Sequence, residues 1–272
     1  MTFWPDLTQF PGPAVADAPA ELLQPAHAQP FVHDDGNTRS LHFTMGELQS
    51  RMLMHSPWHL EVDYTLTMMG FLLFRPAPLH IGMIGLGGGS LAKFCHRQLS
   101  SSQMTVLEIN PQVVALRREF RVPDDDARFR VIAADGADFL QAGTSRFDVL
   151  LIDGFDHQGQ PPALCSQRFY DDCFAALSPG GVLVVNLHYD DPDYPLLAGR
   201  IARSFDGNSA EILAQEKTNS IVFASRGQSI SARGLSVAKA LAGLADEEGR
   251  AQLRAEFGRI TWHMKDPGAD GA

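Results

Sequence analysis

The sequence predicts an α/β protein: a mostly parallel sheet with an antiparallel hairpin at one edge, preceded by a small β-element. Three observations carry this. Five apolar runs rich in Val, Ile and Leu, at residues 80–86, 104–109, 129–135, 147–153 and 181–187, each follow a helical or turn segment, as in a sheet covered on both faces. The first run ends in Gly85, Gly87, Gly88 and Gly89, and an amphipathic stretch opening Ser90-Leu91-Ala92-Lys93-Phe94 starts directly after, the pattern of strand, tight turn and helix N-terminus. Finally, residues 210–215 and 220–224 flank the short polar turn Lys217-Thr218-Asn219, which reads as an edge hairpin.

Taken in order, residues 1–29 form a Pro-rich extension carrying Pro5, Pro11, Pro13, Pro19 and Pro25. Apolar flanks around Asp34-Asp35-Gly36-Asn37 predict a β-hairpin over residues 30–45. Ser56-Pro57-Trp58 reads as a serine cap with proline at the first helical position. That helix is expected to run to Phe74, with Leu60, Tyr64, Met68, Phe71 and Leu72 on its core face. Arg75-Pro76-Ala77-Pro78 ends it, and Ser178-Pro179-Gly180-Gly181 turns into the fifth strand of the parallel set. A helix is expected from Tyr194 to about Phe205, and a helix or helix pair over residues 235–258. The expected division is therefore 1–29 extension, 30–75 hairpin plus helix, 76–262 main α/β domain, and 263–272 flexible tail.

Composition limits the function classes. The 272 residues are 44% hydrophobic and 20% charged, with a formal net charge of −10. That argues against nucleic acid, whose phosphates require clustered Lys and Arg. It suits a cationic substrate, although ordinary solubility needs explain an acidic chain equally well. Cys95, Cys165 and Cys173 are widely spaced and without C-x-x-C, as in a reduced cytoplasmic protein. The start Met1-Thr2-Phe3-Trp4-Pro5-Asp6 lacks the basic and apolar regions of a secretory signal. The longest apolar run, over residues 66–74, falls well short of the ~20 residues that span a bilayer. The expectation is a cytoplasmic protein with no membrane partner. No H-E-x-x-H, G-x-S-x-G or Walker A occurs, and the ten histidines lack ligand spacing, so no metal is expected.

In an open α/β sheet, ligands bind beyond the carboxyl ends of the strands, so the polar residues there are the candidates. The turn Gly85-x-Gly87-x-Gly89 lets backbone approach a ligand, but a dinucleotide fingerprint would need glycine where Ser90 stands. Its spacing is that of class I transferases of the S-adenosylmethionine (AdoMet) type. Glu108 ends the second strand, about twenty residues on, where a carboxylate can accept both ribose hydroxyls; the rival is a solvated strand-end acid. Asp135-Gly136 ends the third strand, where Asp135 can meet an adenine amino group or simply cap a helix. Asp153 and Asp156 follow the fourth, spaced to hold a cationic amine and take its proton, or to form a turn. Asn186-Leu187-His188-Tyr189 closes the fifth.

In this order along residues 30–225, the hairpin, Gln49-Ser50, the glycine turn, Leu107-Glu108-Ile109-Asn110-Pro111, Asp135-Gly136, Asp153-x-x-Asp156 and Ser178-Pro179-Gly180-Gly181 resemble the spermidine synthase-like family of polyamine aminopropyltransferases. The resemblance implies a small N-terminal β-domain before a Rossmann-like, class I methyltransferase domain. It implies decarboxylated AdoMet as donor, a polyamine such as putrescine as acceptor, and a homodimer or larger homo-oligomer. Residue by residue, it implies that Glu108 binds ribose and Asp135 adenine, and that Asp153 is the base, with Asp156 beside it. Gln49, Gly85, Gly87, Gly88, Gly89 and Gly136 would complete the donor site.

The chain departs from the family pattern at identifiable places. The family loop G-G-G-D-G-G is here Gly85-Leu86-Gly87-Gly88-Gly89-Ser90, so Gly88 stands where the family has a carboxylate. D-S-S-D-P is here Asp153-Gly154-Phe155-Asp156-His157, and Tyr64 is the only nearby match to a family tyrosine. The variant loop is similar to that of a divergent branch that includes protein methyltransferases. Loss of the loop carboxylate removes a repulsion against intact AdoMet. Aminopropyl transfer is therefore the leading expectation, AdoMet-dependent methyl transfer to an amine or protein is the alternative, and a nucleoside-binding protein without catalysis is the third.

Overall fold

The computed structural model describes residues 28–44, 48–143, 146–156 and 159–265. Residues 1–27 and 266–272, which include most of the expected extension and tail, lie outside the described residues. A small antiparallel sheet comes first, in the order β1 (Phe31–Asp34), β2 (Thr38–His42), β3 (Leu48–Leu53). The β1–β2 turn is built as its residues demand: Gly36 takes a φ of 88° and the Asp35 carboxylate accepts the N–H of Asn37 and of Thr38. Strand β3 is an addition to the expected hairpin. Its alternation is real, with Ser50 and Met52 inward and Arg51 outward, but a serine in an inward position hides the pattern.

The helix expected from Ser56 does not form there. Residues 55–62 run as turns; helix α1 (Asp63–Met68) begins later and is separated from α2 (Phe71–Phe74) by Met69 and Gly70. Long-range partners explain this. The Ser56 hydroxyl, the expected cap, and the Trp58 indole N–H both donate to Glu248, while the Leu60 N–H donates to Gln252. These acceptors lie on a C-terminal helix, so tertiary contacts override a local capping signal. At Gly70 a Cβ would come within 2.8 Å of Ile260 and 2.9 Å of Phe223, so helix and sheet meet there with no room for a side chain.

The main sheet contains β4 (His80–Ile84), β5 (Gln103–Glu108), β6 (Phe129–Ala133), β7 (Phe147–Ile152), β8 (Leu177–His188), β9 (Ser209–Leu213) and β10 (Asn219–Ser225), in the order β6-β5-β4-β7-β8-β10-β9. Strands β4 to β8 pair in parallel, and β10 is antiparallel to both β8 and β9, as the sequence predicts. Ser178–Gly181 is absorbed into β8 as an irregularity: Phe147 pairs with Leu177, but Val149 pairs with Val182. Gly180, at φ 75°, makes that bend possible. Strand order reverses between β4 and β7, which opens a crevice at their carboxyl ends.

Helices α3 (Ser90–Gln98), α4 (Pro111–Ala115), α5 (Gly136–Gln141), α6 (Gln167–Ala176), α7 (Tyr194–Ser204), α8 (Val237–Ala242) and α9 (Glu247–His263) complete the fold. The two faces of the sheet form separate cores. One joins Phe94, Phe223 and Phe257 to Leu41 and Met52 of the small sheet; the other gathers Phe139, Phe169, Tyr170 and Phe205. The shared core holds the small sheet against the main body beside the crevice. Among the described residues, no helix is long and apolar enough to cross a membrane.

Lys93 in α3 is buried, and its ammonium donates to the Phe120 carbonyl at 2.9 Å. Burial first, and then Arg121, push its pKa down to about 7. The unfolded chain, with lysine near its ordinary value of 10.5, therefore binds more protons above pH 7, so folding stability must rise with pH there. Denaturant unfolding from pH 7 to 8.5 is expected to show wild-type protein gaining about 1 kcal/mol per pH unit relative to Lys93→Met. Parallel pH profiles for the two proteins would contradict it.

Candidate active site

A cavity of about 290 Å³ opens at the carboxyl ends of β4, β5, β6 and β7, roofed by Leu41, Phe43 and Ser50 of the small sheet region. Of the sequence candidates, Gln49, Gly85, Gly87, Glu108, Asp135, Gly136, Asp153 and Asp156 line it. The topology brings together residues from more than one hundred positions of sequence, because four neighbouring parallel strands end at the crevice and the small sheet adds Gln49.

Gly85 has φ 92°, and a Cβ there would lie 2.2 Å from the Asp153 carbonyl oxygen. The ends of β4 and β7 therefore touch backbone to backbone, sealing the cavity floor. Gly88 and Gly89 do not line the cavity. A Cβ on Gly88 would sit 2.6 Å from Ser50 Oγ and 2.9 Å from Phe120, and one on Gly89 would sit 2.4 Å from Val122. Their smallness serves the packing of the turn under β3 and the residue 116–122 segment. A carboxylate at position 88, as in the family pattern, would have to displace Ser50.

Glu108 is a buried group, unlike a solvated strand-end acid. One oxygen accepts the Leu86 N–H of the glycine turn at 2.8 Å and the other accepts the Asn110 N–H at 2.8 Å. These two bonds fix the carboxylate, a hydrogen-bond acceptor, in the wall of the cavity that Glu108 lines. Glu108→Ala leaves two buried amides unpaired and removes this acceptor. The expected outcome is a loss of about 2–4 kcal/mol in nucleoside affinity with lowered stability of the free protein. Calorimetry with methylthioadenosine and a thermal melt check both, and unchanged affinity would contradict the assignment.

Asp135 caps α5: its Oδ1 accepts the N–H of Ala137 at 2.7 Å and of Asp138 at 3.3 Å. The helix-cap reading of the sequence therefore holds, and the residue also lines the cavity through the same strand end. Gly136 lies flat against Ile84, whose side chain a Cβ would meet at 2.7 Å.

Asp153 is held on both carboxylate oxygens. Tyr64 donates its hydroxyl to one carboxylate oxygen at 3.2 Å, and Asn186 donates its amide N–H to the other at 2.9 Å. Enclosure in protein pushes the carboxyl above the usual range, while the two hydrogen bonds pull in the opposite direction. Tyr64 is itself held well above the ordinary phenol value by burial, then by Asp153, so it remains a donor. Asp156 lies further along, its backbone paired with Gly159. Phe155 stacks on His188 at 4.5 Å between ring centres, which anchors this loop to the end of β8. The sequence marks Tyr64 only as a core-face position and the nearby match to a family tyrosine, and gives no sign of Asn219, which donates to Asn186 at 2.9 Å; both meet the site through long-range packing. Among the described residues, no His, Cys, Asp and Glu cluster suited to a metal ion occurs.

A glycine turn, a strand-end glutamate and an enclosed aspartate around one crevice define an α/β fold of the nucleoside-dependent transferase class. The spermine/spermidine synthase domain model matches residues 48–196, and the chain belongs to that family. A protein of Chromobacterium violaceum named polyamine aminopropyltransferase is 39% identical over 236 residues, 86% of this chain and 88% of that one. One of the same name from Neisseria meningitidis serogroup B is 37% identical, over 77% of this chain and 82% of that one. The fold is shared with a probable spermidine synthase from Corynebacterium glutamicum (TM-score 0.65, 18% identity, 83% of this chain and 90% of that one). It is also shared with a spermidine synthase in complex with the transition-state analogue AdoDATO (TM-score 0.61, 20% identity, 86% and 88% covered).

Proposed function

We propose that the protein transfers an aminopropyl group from decarboxylated AdoMet to a polyamine such as putrescine. One observation carries the choice of donor: the cavity is lined by four carboxylates, those of Glu108, Asp135, Asp153 and Asp156, and among the described residues by no Lys, Arg or His. A decarboxylated donor and a diamine acceptor are both cations and suit such a chamber. Intact AdoMet would bring a carboxylate into it with no cationic side chain among the described lining residues to pair it. The names of the curated relatives support the same activity.

In this reading Glu108 accepts the ribose hydroxyls and Asp135 the adenine amino group, with Gly85, Gly87 and Gly136 allowing close approach of the nucleoside and Gln49 contacting the donor from the small sheet. Asp156 holds the acceptor cation. Asp153 takes the proton from its ammonium, freeing a lone pair on nitrogen. That nitrogen attacks the aminopropyl carbon next to sulfur; the N–C bond forms as the C–S bond breaks. The sulfonium leaves as neutral methylthioadenosine, and the proton passes from Asp153 to solvent. We further propose a homodimer or larger assembly, a cytoplasmic location and a division of the chain between residues 75 and 76.

Methyl transfer is the second reading, favoured by one feature: Gly88 stands where the family pattern has a donor-facing carboxylate. Thermal melts discriminate between them, since a ligand at a hundred times its Kd stabilises by about 2.7 kcal/mol. Decarboxylated AdoMet and methylthioadenosine are expected to raise the melting temperature well above AdoMet at equal concentration. Preferential stabilisation by intact AdoMet would favour the methyl-transfer reading.

A further inference from the structure

The edge hairpin contributes to the site without touching the cavity. Asn219, the first residue of β10, is buried, and its side-chain N–H donates to Asn186 Oδ1 at 2.9 Å. Asn186 in turn donates to Asp153 at 2.9 Å. At the outer end, the Thr218 hydroxyl donates to Asn219 Oδ1 at 2.9 Å. An ionised carboxylate only accepts hydrogen bonds. Asn186 must therefore present its N–H to Asp153 and its oxygen to Asn219, and Asn219 must present its own N–H. Each donor points toward Asp153, and only this orientation satisfies the whole row.

The sheet supplies the geometry. Asn219 pairs with His188 and Ile221 with Asn186, so the two asparagines are diagonal neighbours on one face of an antiparallel ladder. The turn is pinned by the Tyr189 N–H donating to the Thr218 carbonyl and the Ala214 N–H to the Asn219 carbonyl. We propose that Asn219 is a positioning residue: through Asn186 it fixes the amide orientation that keeps a donor on Asp153. The proposal rests on the assignment of Asp153 as the base.

Among the described residues, the titratable groups around Asp153 are Tyr64 from α1, His188 from β8, Asp156 on its own loop, and Glu108 and Asp135 in the same cavity wall. Asn219→Ala and the isosteric Asn219→Asp remove the donor that holds Asn186, and in the second the new carboxylate attracts the Asn186 N–H away from Asp153. The readout is the carboxyl-carbon NMR titration of Asp153, identified by its absence in Asp153→Asn and followed beside the ring signals of His188. Both variants are expected to move the Asp153 midpoint to higher pH, Asn219→Asp more strongly. On the acid limb, kcat/KM for transfer should fall by about tenfold or more, with methylthioadenosine affinity unchanged.

Thr218→Val, an exposed turn substitution, should give a smaller shift of the same sign and serves if Asn219→Ala does not fold. A shift in Asn219→Asp alone would reduce the effect to added charge and overturn the relay. A lower melting temperature with an unmoved midpoint would make Asn219 a turn residue only, and would overturn it equally. The titration needs no turnover, so a protein inactive in aminopropyl transfer would defeat the proposed function while leaving this result readable.

Discussion

Asp153→Asn is expected to lower kcat by about 10²–10⁴-fold while leaving nucleoside affinity nearly unchanged. The change keeps the size of the side chain and removes the carboxylate proposed to accept a proton from the acceptor ammonium. Its surroundings tolerate the amide. Tyr64 can rotate its hydroxyl to accept from the new N–H, and Asn186 can continue to donate to the remaining oxygen. The loss should therefore appear in turnover and not in folding. Asp156→Asn is expected to cost less, mainly as a raised acceptor KM, because the backbone hydrogen bonds between Asp156 and Gly159 do not depend on the side-chain charge. Steady-state kinetics on both variants, with methylthioadenosine binding as the control, separate the roles. Near wild-type turnover in Asp153→Asn would make the pair a turn and nothing more.

Gly85→Ala is expected to be the most destabilising glycine-to-alanine change among the described residues. Its Cβ would fall 2.2 Å from the Asp153 carbonyl oxygen and 2.7 Å from the carbon, at a φ of 92°. Both clashing atoms are backbone, fixed by the Asp153 N–H to Ile84 bond at 2.9 Å and the Gly85 N–H to Leu107 bond at 2.9 Å. Overpacking and left-handed strain together cost about 4 kcal/mol, or a melting temperature lower by about 8–16 °C. Gly207→Ala is the control, since Gly207 also has positive φ, 74°, but no atom within 4 Å of a Cβ; it should cost only the conformational part, about 1–2 kcal/mol. Equal melting temperatures for the two variants would mean that the β4–β7 contact is slack.

These expectations draw on features that differ in how plainly the sequence displays them. The parallel strands were legible because buried strands need continuous apolar runs, and the acids at their ends because each follows such a run directly. Glu108, Asp135 and Asp153 were found in that way. The local signal at Ser56-Pro57 misled, since nothing nearby shows that Glu248 and Gln252 will take the groups a helix start would use. Tyr64 and Asp153 are 89 positions apart, and Asn219 and Asn186 are 33 apart. Only the packed core decides that such pairs meet. The glycines illustrate the same limit: one motif contains Gly85 and Gly87 on the cavity and Gly88 and Gly89 behind it, a distinction set by Ser50, Phe120 and Val122 and invisible in the run itself.

The proposed activity is tested most directly by incubating the protein with putrescine and either decarboxylated or intact AdoMet, and weighing both products by mass spectrometry. The account predicts methylthioadenosine in equal amount with putrescine enlarged by one aminopropyl unit, from the decarboxylated donor only. S-adenosylhomocysteine together with a methylated acceptor, formed from intact AdoMet while the decarboxylated donor stays unchanged, would contradict it.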